Sequence, residues 1–284
     1  MSEDFYFDSR QIGDASVTVI SEGVLPWAPE LQAPYEQWRQ AMPEADADGV
    51  LPLGLNVLHV RLGELSLVAD PGLDDPDSAW QHQYAREAPG LTRTPGLSAG
   101  LQGIGVRPEE VTHVFVSHTH KDHYCGVTCE SENQAPRFPY ARHLLGRRDW
   151  EQNPERRETS SDLVTRLGTV QKLGLLDLLD GDREIAPGIT VLAAPGESPG
   201  HCVLRVRSGG ETLLYLGDLV HHPCEVEYPE WVSLGRDAQA LQASRERIFR
   251  EAAESDATVV FTHAPFPPWG RIVRAGEGYV WEQR

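Results

Sequence analysis

The sequence predicts a layered α/β protein, and three observations carry that expectation. Apolar runs of strand length recur along the 284 residues, among them 112–117 (THVFVS), 189–194, 213–216 and 257–262. Segments whose apolar residues follow helical spacing stand among and between them, around 160–174 and 238–253. Each of those four runs also ends at, or shortly before, side chains that can bind a metal. Layered α/β proteins build their sites in that way, where loops converge at strand ends on a rigid scaffold.

In chain order, residues 1–10 (MSEDFYFDSR) are acidic and polar and lack the n-region and h-region of a signal peptide. No run approaches the roughly 20 apolar residues of a membrane helix, so the expected location is the cytoplasm. Residues 15–26 and 55–70 read as strands, the second broken by a hairpin turn at Gly63-Glu64. Between them, residues 27–50 hold three prolines and a short polar-aromatic piece, 35–42, and read as an irregular arm or lid. Asp70 ends a strand in Asp70-Pro71-Gly72. Residues 73–95, rich in Asp, Pro and Gly, read as loop, and 96–104 as a short helix.

The run 112–117 leads into Ser117-His118-Thr119-His120-Lys121-Asp122-His123. Imidazole nitrogen and carboxylate oxygen suit zinc and similar divalent ions. His118 and His120 are two apart, so in an extended segment they share one side and can grip one ion. Asp122 and His123 fall where the chain turns and can face a second ion. His201 follows the run 189–194 in Ala194-Pro195-Gly196-Glu197-Ser198-Pro199-Gly200-His201, Asp218 ends 213–218, and His263 ends 257–263. These candidates run from 118 to 263, so that stretch must close on one site, and a single domain over 1–284 is expected.

After the central motif, 141–145 reads as a strand. Ser160 or Ser161 caps a helix carrying Leu163, Leu167 and Val170, and Gly174 stops it. This part is expected to cover the metal site. Trp150 is a candidate pocket wall, with core or surface packing as its other reading. Segments 188–194, 202–206 and 211–216 read as strands, Gly209-Gly210 as a hairpin turn, and 238–253 as a long helix with Leu241, Ile248 and Ala252 on one face. His221 and His222 lie three and four residues past Asp218. One of them can reach substrate or orient a carboxylate. His59, His113 and His143 fall inside strands and read as packing or surface residues.

The net charge is −18, from 25 basic and 43 acidic residues. Nucleic acid and anionic membranes need basic patches, so neither is an expected partner. Four cysteines without a C-x2-C pair fit reduced thiols, and Cys202, next to His201, reads as a small buried residue.

His118-x-His120-x-Asp122-His123, followed by His201, Asp218 and His263, resembles the metallo-β-lactamase superfamily from about residue 55 to the end. The resemblance implies a four-layer αββα sandwich with two divalent ions at one edge, most simply Zn2+, with Mn, Fe or Co also accepted by these donors. His118, His120 and His201 would bind the first ion, Asp122, His123 and His263 the second, and Asp218 and a water or hydroxide would bridge them. Asp70 would orient a ligand histidine. After the motif this chain has Gly126 alone where relatives commonly have two glycines, which makes that loop less standard.

The implied activity is that of a hydrolase whose metal-bridging hydroxide attacks a carbonyl or phosphoryl group, with Asp122 and Asp218 as the catalytic carboxylates. The segments around Asp218 and from His263-Ala264-Pro265-Phe266-Pro267 to Tyr279 are similar to the methyl-parathion-hydrolase and lactonase branch. Its members cleave lactones, esters or phosphotriesters, and many are homodimers, an assembly the resemblance allows here. A glyoxalase II-like thioesterase shares all seven ligands. A persulfide dioxygenase would need one iron, and a metal-binding scaffold without turnover is the non-enzymatic alternative.

Overall fold

The computed structural model describes residues 6–130 and 133–284, so part of the acidic N-terminal stretch lies outside the described residues. The first sheet contains β1 (Phe7–Ile12), β2 (Ala15–Trp27), β3 (Leu51–Leu62), β4 (Leu65–Ala69), the two-residue β5 (Thr92–Arg93) and β6 (His113–Val116). Then β7 (Thr128–Cys129) and β8 (Ala135–Pro136) pair only with each other, and β9 (Arg142–Gly146) and β10 (Leu176–Leu179) complete the first sheet. Its order is β1-β2-β3-β4-β6-β9-β10, with β5 on β2. The first four strands form an antiparallel meander, and β4, β6, β9 and β10 run parallel.

The second sheet follows chain order: β11 (Arg183–Ala186), β12 (Ile189–Ala193), β13 (Cys202–Ser208), β14 (Glu211–Tyr215), β15 (Thr258–Val260), β16 (Gly270–Ala275) and β17 (Gly278–Gln283). Only β14 and β15 pair in parallel, which the intervening helix Ala238–Glu254 makes possible.

The strands are apolar on both faces because each sheet is covered on both sides. Successive side chains alternate between faces. Thus Phe115 enters the core between the sheets with Leu58, Val60, Leu204, Val206 and Tyr215, while Val114 and Val116 face outward. Outside the first sheet they meet Leu97, Leu101, Leu163, Leu167 and Val170. Outside the second, Leu214, Leu216, Val259 and Phe261 meet Leu241, Ile248, Phe249 and Ala252 of the long helix. Helix, sheet, sheet and helix make the four layers expected from the resemblance.

Three expectations need correction. Residues 73–95 contain a helix, Ala79–Glu87, whose N-cap Ser78 accepts from Gln81 N–H at 3.0 Å. It buries only Gln81, so it lacks the apolar period that reveals a helix. The arm at 27–50 is also less irregular than expected. Its helix Tyr35–Ala41 and the residues Leu31, Trp38, Met42 and Ala45 pack on Leu51, Cys224 and Trp231. Backbone bonds from Gln32 N–H to Val232 O and from Leu234 N–H to Glu30 O tie it to the segment beyond Asp218. Finally, of the stretch 141–180 expected to cover the metal site, the helical part at 162–172 does not lie over the ligand histidines: Leu163, Leu167 and Val170 belong to the outer core. Within that stretch it is 148–155 that borders the site. No helix among the described residues is long and apolar enough to cross a membrane.

Candidate metal centre

Four strand ends deliver the site. Leaving β6, the chain is held by Asp70, which follows β4 at φ +46° and bonds through its own N–H to Phe115 O. Asp70 Oδ1 accepts Ser117 N–H at 2.6 Å, and its Oδ2 accepts from Ser117 Oγ at 2.7 Å, His123 Nδ1 at 2.8 Å and Tyr215 OH at 2.9 Å. His118 and His120 follow, with Nε2 of one 2.7 Å from Nδ1 of the other. His120 then precedes the single turn Lys121–Tyr124, which carries Asp122 and His123. Past β14, Gly217 takes φ +56°, and a Cβ there would stand 2.7 Å from the Ser117 side chain. Only glycine brings the chain that close to the ligand loop, and the turn places Asp218 in the centre.

Asp218 touches both ligand groups. Its Oδ2 lies 3.5 Å from His118 Nε2 and 3.2 Å from His123 Nε2, and its Oδ1 lies 3.3 Å from His263 Nε2. His263 Nε2 is in turn 3.5 Å from Asp122 Oδ2. The donor atoms of Asp122, His123 and His263 lie within 4.8 Å of one another, and so do those of His118, His120, Glu197 and Asp218. His201 stands behind this second group. Its Nδ1 donates to Ala194 O at 3.1 Å, and its Nε2 accepts Asp218 N–H at 3.2 Å.

The hydrogen bonding prepares nitrogen lone pairs for a cation. Nδ1 of His123 donates to Asp70 and Nδ1 of His263 to Gly54 O at 2.8 Å. That leaves Nε2 of each as a bare acceptor pointing at carboxylates, the arrangement by which outer partners set the tautomer of metal-ligating histidines. His123 Nε2 and Asp218 Oδ1 are buried without a hydrogen-bond partner. Such orphans are costly unless something electropositive meets them, and a divalent ion fits the donor set.

Electrostatics point the same way. Burial pushes the imidazoles toward the neutral form, holding His118 well below and His201 at about 4, against an ordinary value of 6.5. At His123 and His263 burial acts in the same direction, but the Asp218 carboxylate, with Asp122 close behind, outweighs it and raises both. Burial also opposes the charge on Asp218, yet the surrounding imidazoles hold it well below the usual carboxylate range. The Asp218 carboxylate therefore needs positive charge beside it, which protons on these imidazoles or a divalent ion can supply.

His221 belongs to this centre. Its Nε2 is 3.3 Å from Asp218 Oδ2, and its ring stacks on His263 and Trp27 with centroids 5.6 and 5.5 Å away. Glu225, itself paired with buried Arg245, lies 3.7 Å from His221 Nδ1. His222 instead turns away. Its Nε2 donates to Glu44 Oε1 at 2.5 Å and its Nδ1 accepts Cys224 N–H, so it fastens the arm. Cys125, Cys129, Cys202 and Cys224 are all buried and form no disulfide, and the Cys202 thiol donates to Gly200 O.

Trp150 is not a pocket wall. It is 3% exposed within the outer core, beneath the Arg156 guanidinium. On so short a helix as Arg147–Gln152, adjacent side chains point about 100° apart. The neighbour Asp149 faces the ligand loops. Its Oδ2 accepts Thr119 N–H at 3.1 Å and Ser198 Oγ–H at 2.7 Å, and its Oδ1 accepts Gly200 N–H at 2.5 Å. Sequence reasoning missed Asp149, Glu197 and Arg236. For Glu197 a signal existed: it is a carboxylate in the strand-end loop that carries His201.

A cavity of about 320 Å³ opens beside His120, lined by Thr119, Asp149, Gln152, Asn153 and Glu197 among others. A larger polar cavity of about 590 Å³, between Trp80, Tyr84, Lys121 and Asp162, is lined by none of the histidines.

The sequence model of the metallo-beta-lactamase superfamily matches residues 52–263. The chain is similar to an N-acyl homoserine lactonase of Bacillus cereus, 24% identical over 221 residues that cover 75% of this chain and 81% of that one. It is also similar to the N-acyl homoserine lactonase AttM of Rhizobium radiobacter, 27% identical over 221 residues, 72% and 78% of the two chains. In fold it matches hydrolase AbOPH of the beta lactamase superfamily, with a TM-score of 0.81, 20% identity and 100% and 99% of the chains covered. It likewise matches AidC, a dizinc quorum-quenching lactonase, with a TM-score of 0.75, 21% identity and 98% and 97% covered.

Proposed function

Because the chain belongs to the metallo-beta-lactamase superfamily and is one of its hydrolases, we propose that it is a dinuclear enzyme that opens lactones, with simple esters and phosphotriesters as related substrates. The observation that carries this is Asp218, whose two oxygens face His118 and His123 on one side and His263 on the other. His118, His120 and His201 would hold the first divalent ion, and Asp122, His123 and His263 the second, with Asp218 shared. Ions bound there supply a water nucleophile at neutral pH and polarise the attacked oxygen.

The chain's own residues do the rest. Asp70, Gly54 O and Ala194 O fix which imidazole nitrogens face inward. His221, clamped between the rings of Trp27 and His263, presents Nε2 beside Asp218, where it can hand a proton to a leaving alkoxide. The docked arm at 27–50 carries Trp27 and shields that side of the centre from water. We assign the whole chain to one working domain, because the arm, both sheets and all four strand ends contribute to this centre.

The lactonase names of the relatives favour a lactone over the thioester of a glyoxalase II-like enzyme. The test is a panel of lactones, thioesters, aryl esters and phosphotriesters on metal-replete protein, run beside elemental analysis. Lactone turnover with close to two metals per chain is the expected result. Preference for thioesters supports the glyoxalase-like alternative, and one iron per chain the dioxygenase. Two metals with no turnover across the panel leaves a scaffold.

A further inference from the structure

Glu197 lies outside the seven-residue set, yet it stands at the His118–His120 end of the centre. Its side chain is fully buried. Oε1 is 3.6 Å from His120 Nδ1 and 3.8 Å from His221 Nε2, and it accepts from Arg236 Nε at 2.6 Å. Oε2 is buried and has no hydrogen-bond partner. The donor atoms of Glu197, His118, His120 and Asp218 lie within 4.8 Å of one another, close enough to share one ion. A buried carboxylate with one oxygen unpaired is costly unless a second cation reaches it. Arg236, which also brings Nη2 to 3.4 Å from His120 Nε2, meets only Oε1.

We propose that Glu197 is an additional ligand of the first divalent ion, held in place by Arg236, so that the centre carries three carboxylates, Asp122, Glu197 and Asp218. The inference rests on the dinuclear reading above. It has one consequence: an added oxygen donor shifts the site toward harder ions such as Mn2+ relative to an imidazole-dominated site.

The test is metal binding by chelator-stripped protein, titrated separately with Zn2+ and Mn2+, for the wild type and Glu197→Gln. The amide keeps the shape and removes the charge. Glu197→Gln should bind one of its two ions about 10–100-fold more weakly, the order seen when metal-site support is lost. The loss should be larger for Mn2+ than for Zn2+, with the other ion unaffected. Should the variant fail to fold, the Mn2+-loaded wild type answers the question directly. An anomalous-diffraction peak about 2.0–2.2 Å from a Glu197 oxygen is expected. A peak near His118 and His120 with no Glu197 oxygen at bonding distance overturns the proposal, as does a Glu197→Gln protein with unchanged affinities and unchanged Mn2+ against Zn2+ preference. A wild type that takes up fewer than two ions removes the dinuclear reading together with Glu197's role. Two wild-type ions and an unaltered variant remove Glu197 alone.

Discussion

Replacing Asp70 by asparagine strikes the support of His123 with almost no change of volume. The carboxylate serves four donors: Ser117 N–H on Oδ1, and Ser117 Oγ, His123 Nδ1 and Tyr215 OH on Oδ2. An amide offers one accepting oxygen where the carboxylate offers two. If that oxygen stays on Ser117 N–H, the NH2 group faces His123 Nδ1 and drives its proton to Nε2, the atom aimed at the second ion. If the amide turns over, the NH2 group meets Ser117 N–H instead, and a buried unsatisfied donor costs about 1–3 kcal/mol. The first case should weaken one ion about 10–100-fold, equal to about 1.4–2.8 kcal/mol at 1.4 kcal/mol per tenfold. The second should lower the melting temperature with less effect on the metal. Chelator competition and thermal unfolding on the same preparation separate the two. If both ions bind as tightly as in the wild type and the melting temperature is unchanged, the tautomer assigned to His123 is wrong, and the second ligand set goes with it.

Three further outcomes are expected. Trp150→Ala should destabilise the fold by about 3–5 kcal/mol, the range for large buried aromatics, and leave substrate ranking alone; a changed ranking with unchanged stability in chemical denaturation would return Trp150 to the pocket. His59, buried against Ser66 with its pKa near 4 instead of 6.5, takes up a proton more readily when unfolded. Its contribution is therefore present above pH 6.5 and lost as pH falls toward 4, on the order of 3 kcal/mol, so stability of His59→Gln should fall less steeply than wild type over that window, and parallel curves would contradict this. Hydrolysis in heavy-oxygen water, with enzyme in excess, should label product in the first cycle, because Ser117, Ser198 and Cys202 lie outside any G-x-S-x-G elbow; an unlabelled first product means that a side chain attacked before water did.

Several elements were legible because their signal is local. Gly63-Glu64 turns β3 into β4, Gly209-Gly210 turns β13 into β14, and Ser161 caps the turn from Asp162 as its position suggests. Leu241, Ile248 and Ala252 all bury one face of the long helix. The polar helix at 79–87 leaves no such local signal because it buries one residue. The strands of the hairpin β16–β17 are half exposed, with little alternation to mark them.

At the site, sequence alone determined the residue types and the order of the strand ends that carry them. A metal needs imidazole and carboxylate donors, and six positions from His118 to His123 already hold four. One strand end carries all four, although Asp70 and Asp149, distant in sequence, hold that strand end in place. Tertiary structure decided everything that depends on residues meeting across long separations. It showed that Asp149 ties Thr119 to the Ser198–Gly200 loop, that Trp150 beside it is core, that His221 faces the centre while His222 turns to Glu44, and that Glu197 and Arg236 stand over His120. Asp149 and Arg236 carry no periodic or adjacent-residue signal, and position alone does not separate His221 from His222 or Asp149 from Trp150. A buried polar group finds its partner by the closing of the two sheets, and which of two neighbouring side chains faces that partner is set by a rotation of about 100° on one turn of helix or by one step along a loop.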